Sequence, residues 1–295
     1  MAVYELKNET VAVQINSCGA ELRSLKKLDT GVEYMWQADP RFWGRTSPIL
    51  FPFVGGLKNG TYRIGEKSYS MPKHGFVRDM EFEVISQTEN EIWFQLKPTE
   101  ETLKIYPYEF VLKQGYQLLP DGVKVLWQVE NPGKEELYFS IGGHPAFNCP
   151  MEGVGKQSDY MLRFMKEGKP LTEIVSVVLE GGLAGEGTLE FGLEDGYLPI
   201  TPELFDTDTI ILEDGQADEV SLCDPEGKEY VQVNFPMPLV GIWTPIKKNA
   251  PFLCIEPWCG RCDDVDSTGE LSEKRWGNEL EPGGVFETAY TVALC

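Results

Sequence analysis

The sequence predicts an all-β protein, an antiparallel sandwich or barrel, on three observations. Apolar residues alternate with polar ones at a period of two in several segments, the pattern of strands with one buried face. Clusters of Gly, Pro, Asn and Asp separate these segments and indicate turns. Helical patterns are scarce, since no amphipathic stretch of three turns is present. We therefore expect many short strands and few short helices.

The alternation and the turn signals place individual elements. Strands are predicted where apolar residues recur at every second position, at 11–15, 82–84, 92–96, 231–235 and 290–294. Turns are predicted at 58–60, 120–122, 131–133 and 224–227. Short helical turns are predicted after Thr201 and near 271–274.

The weakest pattern lies between residues 150 and 190. Gly181-Gly182 and Gly185-Glu186-Gly187 predict loop excursions between strands there. No internal repeat, low-complexity tract or domain boundary interrupts the chain. Residues 1–295 are therefore expected to form a single domain.

Composition restricts the class of protein. Hydrophobic residues make up 42% of the 295 residues, which is typical of globular proteins. No apolar run approaches the ~18 residues that span a bilayer, and the N-terminus does not resemble a signal peptide. The seven cysteines are an odd, scattered set, so we expect free thiols in a reducing compartment and a cytoplasmic protein.

The net charge of −21 restricts the partners. Nucleic-acid binding depends on basic residues that neutralise phosphates, and anionic membranes also attract basic surfaces. We therefore expect no nucleic-acid partner and no membrane partner. A small neutral substrate fits this charge best, although a local basic pocket could still hold an anion.

Two histidines and one carboxylate are the candidates for chemistry. His74 and His144 are the only histidines, and each lies in a Gly- and Pro-rich segment that suits a loop-lined site. Glu256 follows an apolar strand, where an unpaired carboxylate is unfavourable. Because histidine transfers protons near neutral pH, the three residues could form an acid–base set. The alternative is that each histidine is only hydrogen-bonded within a loop or the core.

Other polar and aromatic groups are less specific. Cys259 and Cys262 have the spacing of a zinc pair, but no second pair exists, so we expect no metal site. Asp206 and Asp208 could bind hydroxyl groups or cap a turn. Tryptophans could stack on a sugar ring or fill the core, and the candidates are Trp36, Trp43, Trp243, Trp258 and Trp276.

Ordered motifs along nearly the whole chain resemble the aldose 1-epimerases (galactose mutarotases), and most closely their LacX-like branch. They include Ser-Pro-Ile-Leu-Phe-Pro at 47–52, His-Gly-Phe at 74–76, Gly-Gly-His-Pro-Ala-Phe at 142–147 and Ile-Glu-Pro-Trp at 255–258. Further matching segments lie at 19–25, 33–37, 204–208 and 241–243. Each motif is modest alone, and their order along the chain makes the resemblance specific.

The resemblance implies a fold and a set of roles. The fold is a large antiparallel β-sandwich, the galactose mutarotase-like supersandwich, with the sugar in an open cleft on one sheet. Glu256 matches the general base that takes the proton of the anomeric hydroxyl, and His144 matches the general acid that protonates the ring oxygen. His74 matches the second histidine, which binds and polarises the sugar, and Asp208 matches the acid that holds ring hydroxyls. No cofactor is needed for this chemistry.

One position departs from the family pattern. Well-studied galactose mutarotases carry a substrate-binding arginine where this chain has Gly56. Arg78, Arg45 or Lys58 could supply the missing contact, and Trp243 could add a stacking surface. Three functions remain open: a mutarotase for a free hexose, a mutarotase for a hexose phosphate, and a sugar-binding or sensing protein without turnover. The expected assembly is a monomer or homodimer.

Overall fold

Short strands make up most of the computed structural model, which describes residues 1–295. The strands are β1 (Val3–Lys7), β2 (Val11–Asn16), β3 (Leu22–Lys27), β4 (Ile49–Leu50), β5 (Thr61–Ile64), β6 (Lys67–Ser70), β7 (Glu83–Gln87), β8 (Glu91–Leu96), β9 (Val111–Leu119), β10 (Gly122–Glu130), β11 (Leu137–Phe139), β12 (Ile141–Gly143), β13 (Ala146–Asn148), β14 (Met161–Lys166), β15 (Lys169–Pro170), β16 (Glu173–Glu180), β17 (Leu183–Gly192), β18 (Tyr197–Pro199), β19 (Ile210–Leu212), β20 (Glu219–Cys223), β21 (Glu229–Asn234), β22 (Leu239–Trp243), β23 (Phe252–Cys259), β24 (Asn278–Leu280) and β25 (Val285–Leu294).

Helices are few and short, as the sequence predicts. The α-helix α1 spans Glu100–Ile105, and 3₁₀ turns lie at Lys58–Gly60, Val77–Asp79, Met151–Gly153, Gln157–Asp159 and Leu271–Glu273. None of these helices is long and apolar enough to cross a membrane.

Two large antiparallel sheets form the body of the fold. The first has ten strands, in the order β15-β14-β20-β21-β25-β10-β9-β8-β7, with β18 also paired to β14. The second has eight, in the order β17-β16-β19-β22-β23-β12-β4, with β13 also paired to β23. Smaller sheets join β1-β2-β3, β5-β6 and β11-β24. The predicted class, a large antiparallel β-sandwich, is confirmed.

One hydrophobic cluster joins the two large sheets. It contains 60 buried residues drawn from Leu6 to Leu294, and both sheets contribute, for example through Val125 of β10 and Ile255 of β23. Burying one large apolar side chain contributes about 1.5–3 kcal/mol, so this cluster supplies much of the driving force for folding.

Strand β23 is buried on both faces, and its alternation determines where the functional groups lie. Leu253 and Ile255 belong to the main core. Cys254 and Trp258 belong to two smaller clusters instead. Because side chains of a strand alternate between faces, Glu256 shares the face of Cys254 and Trp258, opposite the main core. This face of the eight-stranded sheet carries the site described below.

The predicted loops at 150–190 are partly wrong. Gly181 and Gly182 form a turn, as expected, but Gly185-Glu186-Gly187 lies inside β17 rather than in a loop. β17 is an edge strand of its sheet, and its pairing with β16 shifts register between Val177 and Leu179. Edge strands and irregular pairings tolerate glycine, which explains why a loop signal occurs within a strand.

The helical predictions have a mixed outcome. The turn near 271–274 is confirmed as a 3₁₀ turn, whereas the segment after Thr201 forms turns without a helix. Helix α1 was not predicted, because six residues are too few to show a periodic apolar face. Its N-cap is the available signal, since Thr99 and Thr102 form a reciprocal capping box.

Candidate active site

A cleft of about 250 Å³ opens on the outer face of the eight-stranded sheet. Six of the residues predicted from the sequence line it: Glu256, His144, His74, Asp208, Arg78 and Trp243. They come from β22, β23 and loops that are far apart along the chain. The fold therefore assembles the predicted acid–base residues and hydroxyl-binding residues in one place.

The floor of the cleft depends on two glycines beneath one indole. A Cβ atom at Gly241 would lie 2.3 Å from the ring of Trp258, and one at Gly142 would lie 2.4 Å from it. Gly241 is paired with Glu256 across β22 and β23, and Gly142 is paired with Trp258 across β12 and β23. The missing side chains leave room for the indole to lie flat beside the carboxylate.

Glu256 and His144 are in direct contact. His144 Nε2 lies 3.3 Å from Glu256 Oε2, and the side chains are only 7% and 2% exposed. The loop that carries His144 between β12 and β13 is held to the sheet, because the His144 amide donates to the Pro48 carbonyl at 3.1 Å. The two atoms are close but do not form a hydrogen bond, so a small reorientation of either side chain is needed before a proton can pass between them.

Aromatic rings hold the His144 imidazole in place. The Trp43 ring stacks on it with centroids 4.7 Å apart and an interplanar angle of 28°. Trp243 meets it edge-on at 5.4 Å and 88°. The Trp36 indole N–H in turn donates to the Trp43 carbonyl at 2.9 Å. An aromatic face also attracts a cation, so Trp43 favours the protonated imidazole.

His74 is fixed by its backbone and by its ring. Its φ angle is +70°, an unusual value for a residue with a side chain, and such strain is common at functional sites. The Gly55 amide donates to His74 Nδ1 at 3.1 Å. A neutral imidazole that accepts at Nδ1 carries its proton on Nε2, so His74 is preset as a hydrogen-bond donor.

Gly75 makes the close packing beside His74 possible. Its φ is +72°, and a Cβ atom there would lie 2.0 Å from the Phe51 carbonyl oxygen. Both the backbone conformation and the available space therefore require glycine.

Burial sets the electrostatics of the site. Burial lowers the pKa of His144 well below its usual value, and the cations Lys73 and Arg78 lower it further. Burial raises the pKa of Glu256 well above its usual value, Asp208 adds to this, and the cation Lys73 opposes it. The ion pair that the 3.3 Å contact suggests is thus opposed by desolvation. We conclude that the free protein favours the neutral forms of both groups.

Burial similarly lowers the pKa of His74, with His144 and then Lys73 as the next causes. Burial therefore disfavours the charged form of all three groups in the absence of a ligand.

Two cations line the cleft. Arg78 was predicted, and its Nη2 donates to the Lys73 carbonyl at 2.9 Å. Lys73 also lines the cleft and was missed, although it directly precedes His74 in the sequence. Arg45 is not among the lining residues, because its Nη2 donates to Asp79 at 2.8 Å.

The third candidate to replace the family's substrate-binding arginine, Lys58, lies outside the cleft. Lys58 Nζ donates to the Ser267 carbonyl at 3.0 Å and does not line the cleft. A Cβ atom at Gly56 would lie 3.7 Å from the Gly182 carbonyl oxygen, and Gly182 itself lines the cleft. A large side chain at position 56 would therefore reach the rim of the same cleft.

The remaining sequence candidates are also located. Asp208 precedes β19 and has a φ of +82°, and the Thr209 hydroxyl donates to its Oδ1 at 3.2 Å. Cys259 and Cys262 are buried free thiols, and Cys262 lines the cleft. A possible set of metal ligands exists at a different place, where His144, Cys254 and Glu256 meet.

A comparison with known protein families matches residues 2–291 to the family model described as aldose 1-epimerase. The chain belongs to the aldose 1-epimerase family. The matched segment contains all the residues that line the cleft.

Relatives of this aldose 1-epimerase family member have similar lengths. The plasmid-encoded and chromosomal LacX proteins of Lactococcus lactis subsp. lactis are each 32% identical to it, over 98% of both chains. A galactose mutarotase related enzyme from Lactobacillus acidophilus superposes with a TM-score of 0.93 at 34% identity, covering 100% of this chain and 97% of that one. A galactose mutarotase-like protein from Lactobacillus casei gives 0.92 at 30% identity, with complete coverage of both chains.

The buried carboxyl group predicts a pH-dependent stability difference. Its raised pKa means that the native state holds the proton more tightly than the unfolded state. The stability that Glu256 contributes is therefore complete below its ordinary pKa of 4.5 and is lost as the pH rises through the raised native value. Glutamine does not titrate. We expect Glu256→Gln to raise Tm by about 2–4 °C at pH 8, the effect of ~1 kcal/mol, and by less at pH 5.

Thermal unfolding of both proteins at the two pH values measures this difference. A Glu256→Gln advantage that grows toward low pH would contradict the expected sign.

Proposed function

We propose that this protein is a mutarotase, which interconverts the α and β anomers of an aldose. The observation that carries the proposal is the contact between His144 and Glu256 on the floor of an open cleft. Ring opening of a sugar requires removal of a proton from O1 and delivery of a proton to O5. An acid and a base in contact, next to a small cleft, can flank one anomeric centre.

Glu256 is the proposed general base and His144 the proposed general acid. The competent form pairs the Glu256 carboxylate with the His144 imidazolium, and it has the same number of protons as the neutral pair. A small reorientation of either side chain would align the 3.3 Å contact for direct proton transfer, which reaches this form without exchange with solvent. Lys73 favours the carboxylate, and stacking on Trp43 favours the imidazolium.

The rest of the cycle uses the same two groups. Glu256 takes the O1 proton while His144 protonates O5, and the C1–O5 bond breaks to give the open aldehyde. Rotation about C1–C2 exposes the other face of the aldehyde, and ring closure reverses both proton transfers. His74 is the proposed donor that binds and polarises the sugar near this bond, and Asp208 is the proposed acceptor for ring hydroxyls.

A second candidate substrate is an aldose that carries a phosphate. Lys73 and Arg78 both line the cleft, so two cations converge on it despite the acidic net charge of the chain. No acidic group comes closer to Arg78 than Asp79, at 4.0 Å, and Lys73 makes no ion pair. Both cations therefore remain available to an anion.

Polarimetry distinguishes these functions. We expect the protein to accelerate the optical rotation change of freshly dissolved α-D-glucose or α-D-galactose, because a positioned acid–base pair is worth about 10²–10⁴-fold. Glucose 6-phosphate tests the second candidate, with Lys73→Met as the variant and Lys67→Met, on the β5–β6 hairpin, as the matched control.

Each of the three candidate functions predicts a different result. Acceleration with both neutral sugars, unaffected by Lys73→Met, supports the free aldose. A preference for the phosphate that Lys73→Met removes, and that Lys67→Met retains, supports the second candidate. Binding of a sugar without acceleration of either class would contradict the mutarotase and indicate a sensor.

A further inference from the structure

A thiol that the proposed reaction does not use lies beside the acid–base pair. Cys254 is two residues before Glu256 on β23, so both side chains leave the strand on the same face. Cys254 is fully buried and makes no disulfide. Ligand atoms of Cys254, Glu256 and His144 all lie within 4.8 Å of one another. An imidazole nitrogen, a sulfur and a carboxylate oxygen therefore converge on one point.

The geometry of these atoms approaches that of a tetrahedral metal centre. Metal–ligand bonds of about 2.0–2.1 Å for N and O put two such ligands about 3.3 Å apart, and a thiolate about 3.6 Å from each. His144 Nε2 and Glu256 Oε2 are already 3.3 Å apart. The sulfur lies within 4.8 Å of a ligand atom of each residue, so a side-chain movement of roughly 1 Å brings the three atoms to tetrahedral distances.

Two further features suit a ligand at this point. Glu256 Oε2 is buried and has no hydrogen-bond partner in the protein, so its lone pairs are free. His144 and Glu256 also line the cleft, which leaves a fourth position for water or a sugar hydroxyl. A three-ligand site with one open position is a usual arrangement for protein-bound zinc.

We propose that His144, Cys254 and Glu256 form an inhibitory site for a borderline-soft divalent cation, with Zn²⁺ the best match. Nitrogen, sulfur and oxygen donors in a tetrahedral arrangement select zinc over magnesium or calcium. Inhibition by the metal rests on the proposed mutarotase function, whereas metal binding itself does not.

Inhibition follows from the atoms that the metal occupies. The His144 nitrogen and the Glu256 oxygen that would exchange protons with the sugar become metal ligands. On binding, the S–H bond of Cys254 and the O–H bond of a protonated Glu256 break, Zn–S and Zn–O bonds form, and the protons pass to solvent. Neither residue can then act as acid or base, and a sugar in the cleft competes with the metal.

The test measures mutarotation and metal binding separately. Zn²⁺ is expected to inhibit the wild-type protein reversibly, with recovery on addition of a chelator and weaker inhibition at high sugar concentration. Co²⁺ serves as the spectroscopic probe, since a thiolate ligand gives an intense near-ultraviolet charge-transfer band. Cys254→Ser and Cys254→Ala are expected to retain mutarotation and to need at least about 10–100-fold more Zn²⁺ for half inhibition, since even the loss of a residue that only supports a metal ligand has that effect.

Cys262→Ser is the matched control. Cys262 is also a buried thiol, and it lines the same cleft, but it is outside the three-ligand cluster. Its variant should keep both the Zn²⁺ sensitivity and the Co²⁺ band of the wild-type protein.

Two results would overturn the site: unchanged Zn²⁺ sensitivity in both Cys254 variants, or a Co²⁺ band that disappears with Cys262 instead. If the protein proves not to be a mutarotase, the Co²⁺ titration still decides whether the metal binds, so the two proposals fail separately.

Discussion

Glu256→Gln is expected to lower the mutarotation rate by about 10²–10⁴-fold while the protein remains folded, because glutamine keeps the shape of the side chain but accepts no proton. The carboxyl group lies on a strand that is buried on both faces, so the backbone around it should not change. Polarimetry at saturating sugar measures the rate, and sugar binding measured separately should persist.

Glu219→Gln is the matched control for this variant. Glu219 lies on β20 of the ten-stranded sheet, away from the cleft, and burial also raises the pKa of its carboxyl group. A similar loss of rate in both variants would show that removal of a half-buried carboxylate disturbs the fold, and it would contradict the role of Glu256.

His144→Asn is expected to reduce the rate by a similar factor, because asparagine can donate a hydrogen bond but transfers no proton. The decisive measurement is the double variant. If His144 and Glu256 act as one acid–base pair across their 3.3 Å contact, losing both should cost little more than losing one. If the losses of rate in the single variants add up in the double variant, the two groups act independently. Near-wild-type rates in both single variants would contradict the roles of Glu256 as base and His144 as acid.

Much of this architecture could be predicted from the sequence because it depends on local chemistry. Alternation at 11–15 and 92–96 corresponds to β2 and β8, since a period of two has few other interpretations. Glu256 was recognisable because an unpaired carboxylate beside an apolar run is unfavourable, although it lies within β23 and not at the end of a strand as expected. The family motifs supplied the association of Glu256 with His144 and His74.

What the sequence could not predict depends on contacts between distant segments. Arg45 was a reasonable substitute for the missing arginine, but its guanidinium is paired with Asp79, 34 residues away. The proposed ligand Cys254 has no spacing signal in the sequence, because His144 comes from another part of the chain. The expectation of no metal site, which considered only the spacing of Cys259 and Cys262, stays a prediction.

The flat indole of Trp258 over Gly142 and Gly241 has a consequence for how such proteins diversify. Its position depends on the hydrogen-bonded spacing of three neighbouring strands, ~4.8 Å between each pair, which no single surface substitution can alter. The sheet therefore determines the depth of the cleft. Loops such as the Gly181-Gly182 turn and the segment around Lys73 determine the shape of its opening. Substitutions in these loops can therefore change the shape of the opening while the contact between His144 and Glu256 beneath it stays in place.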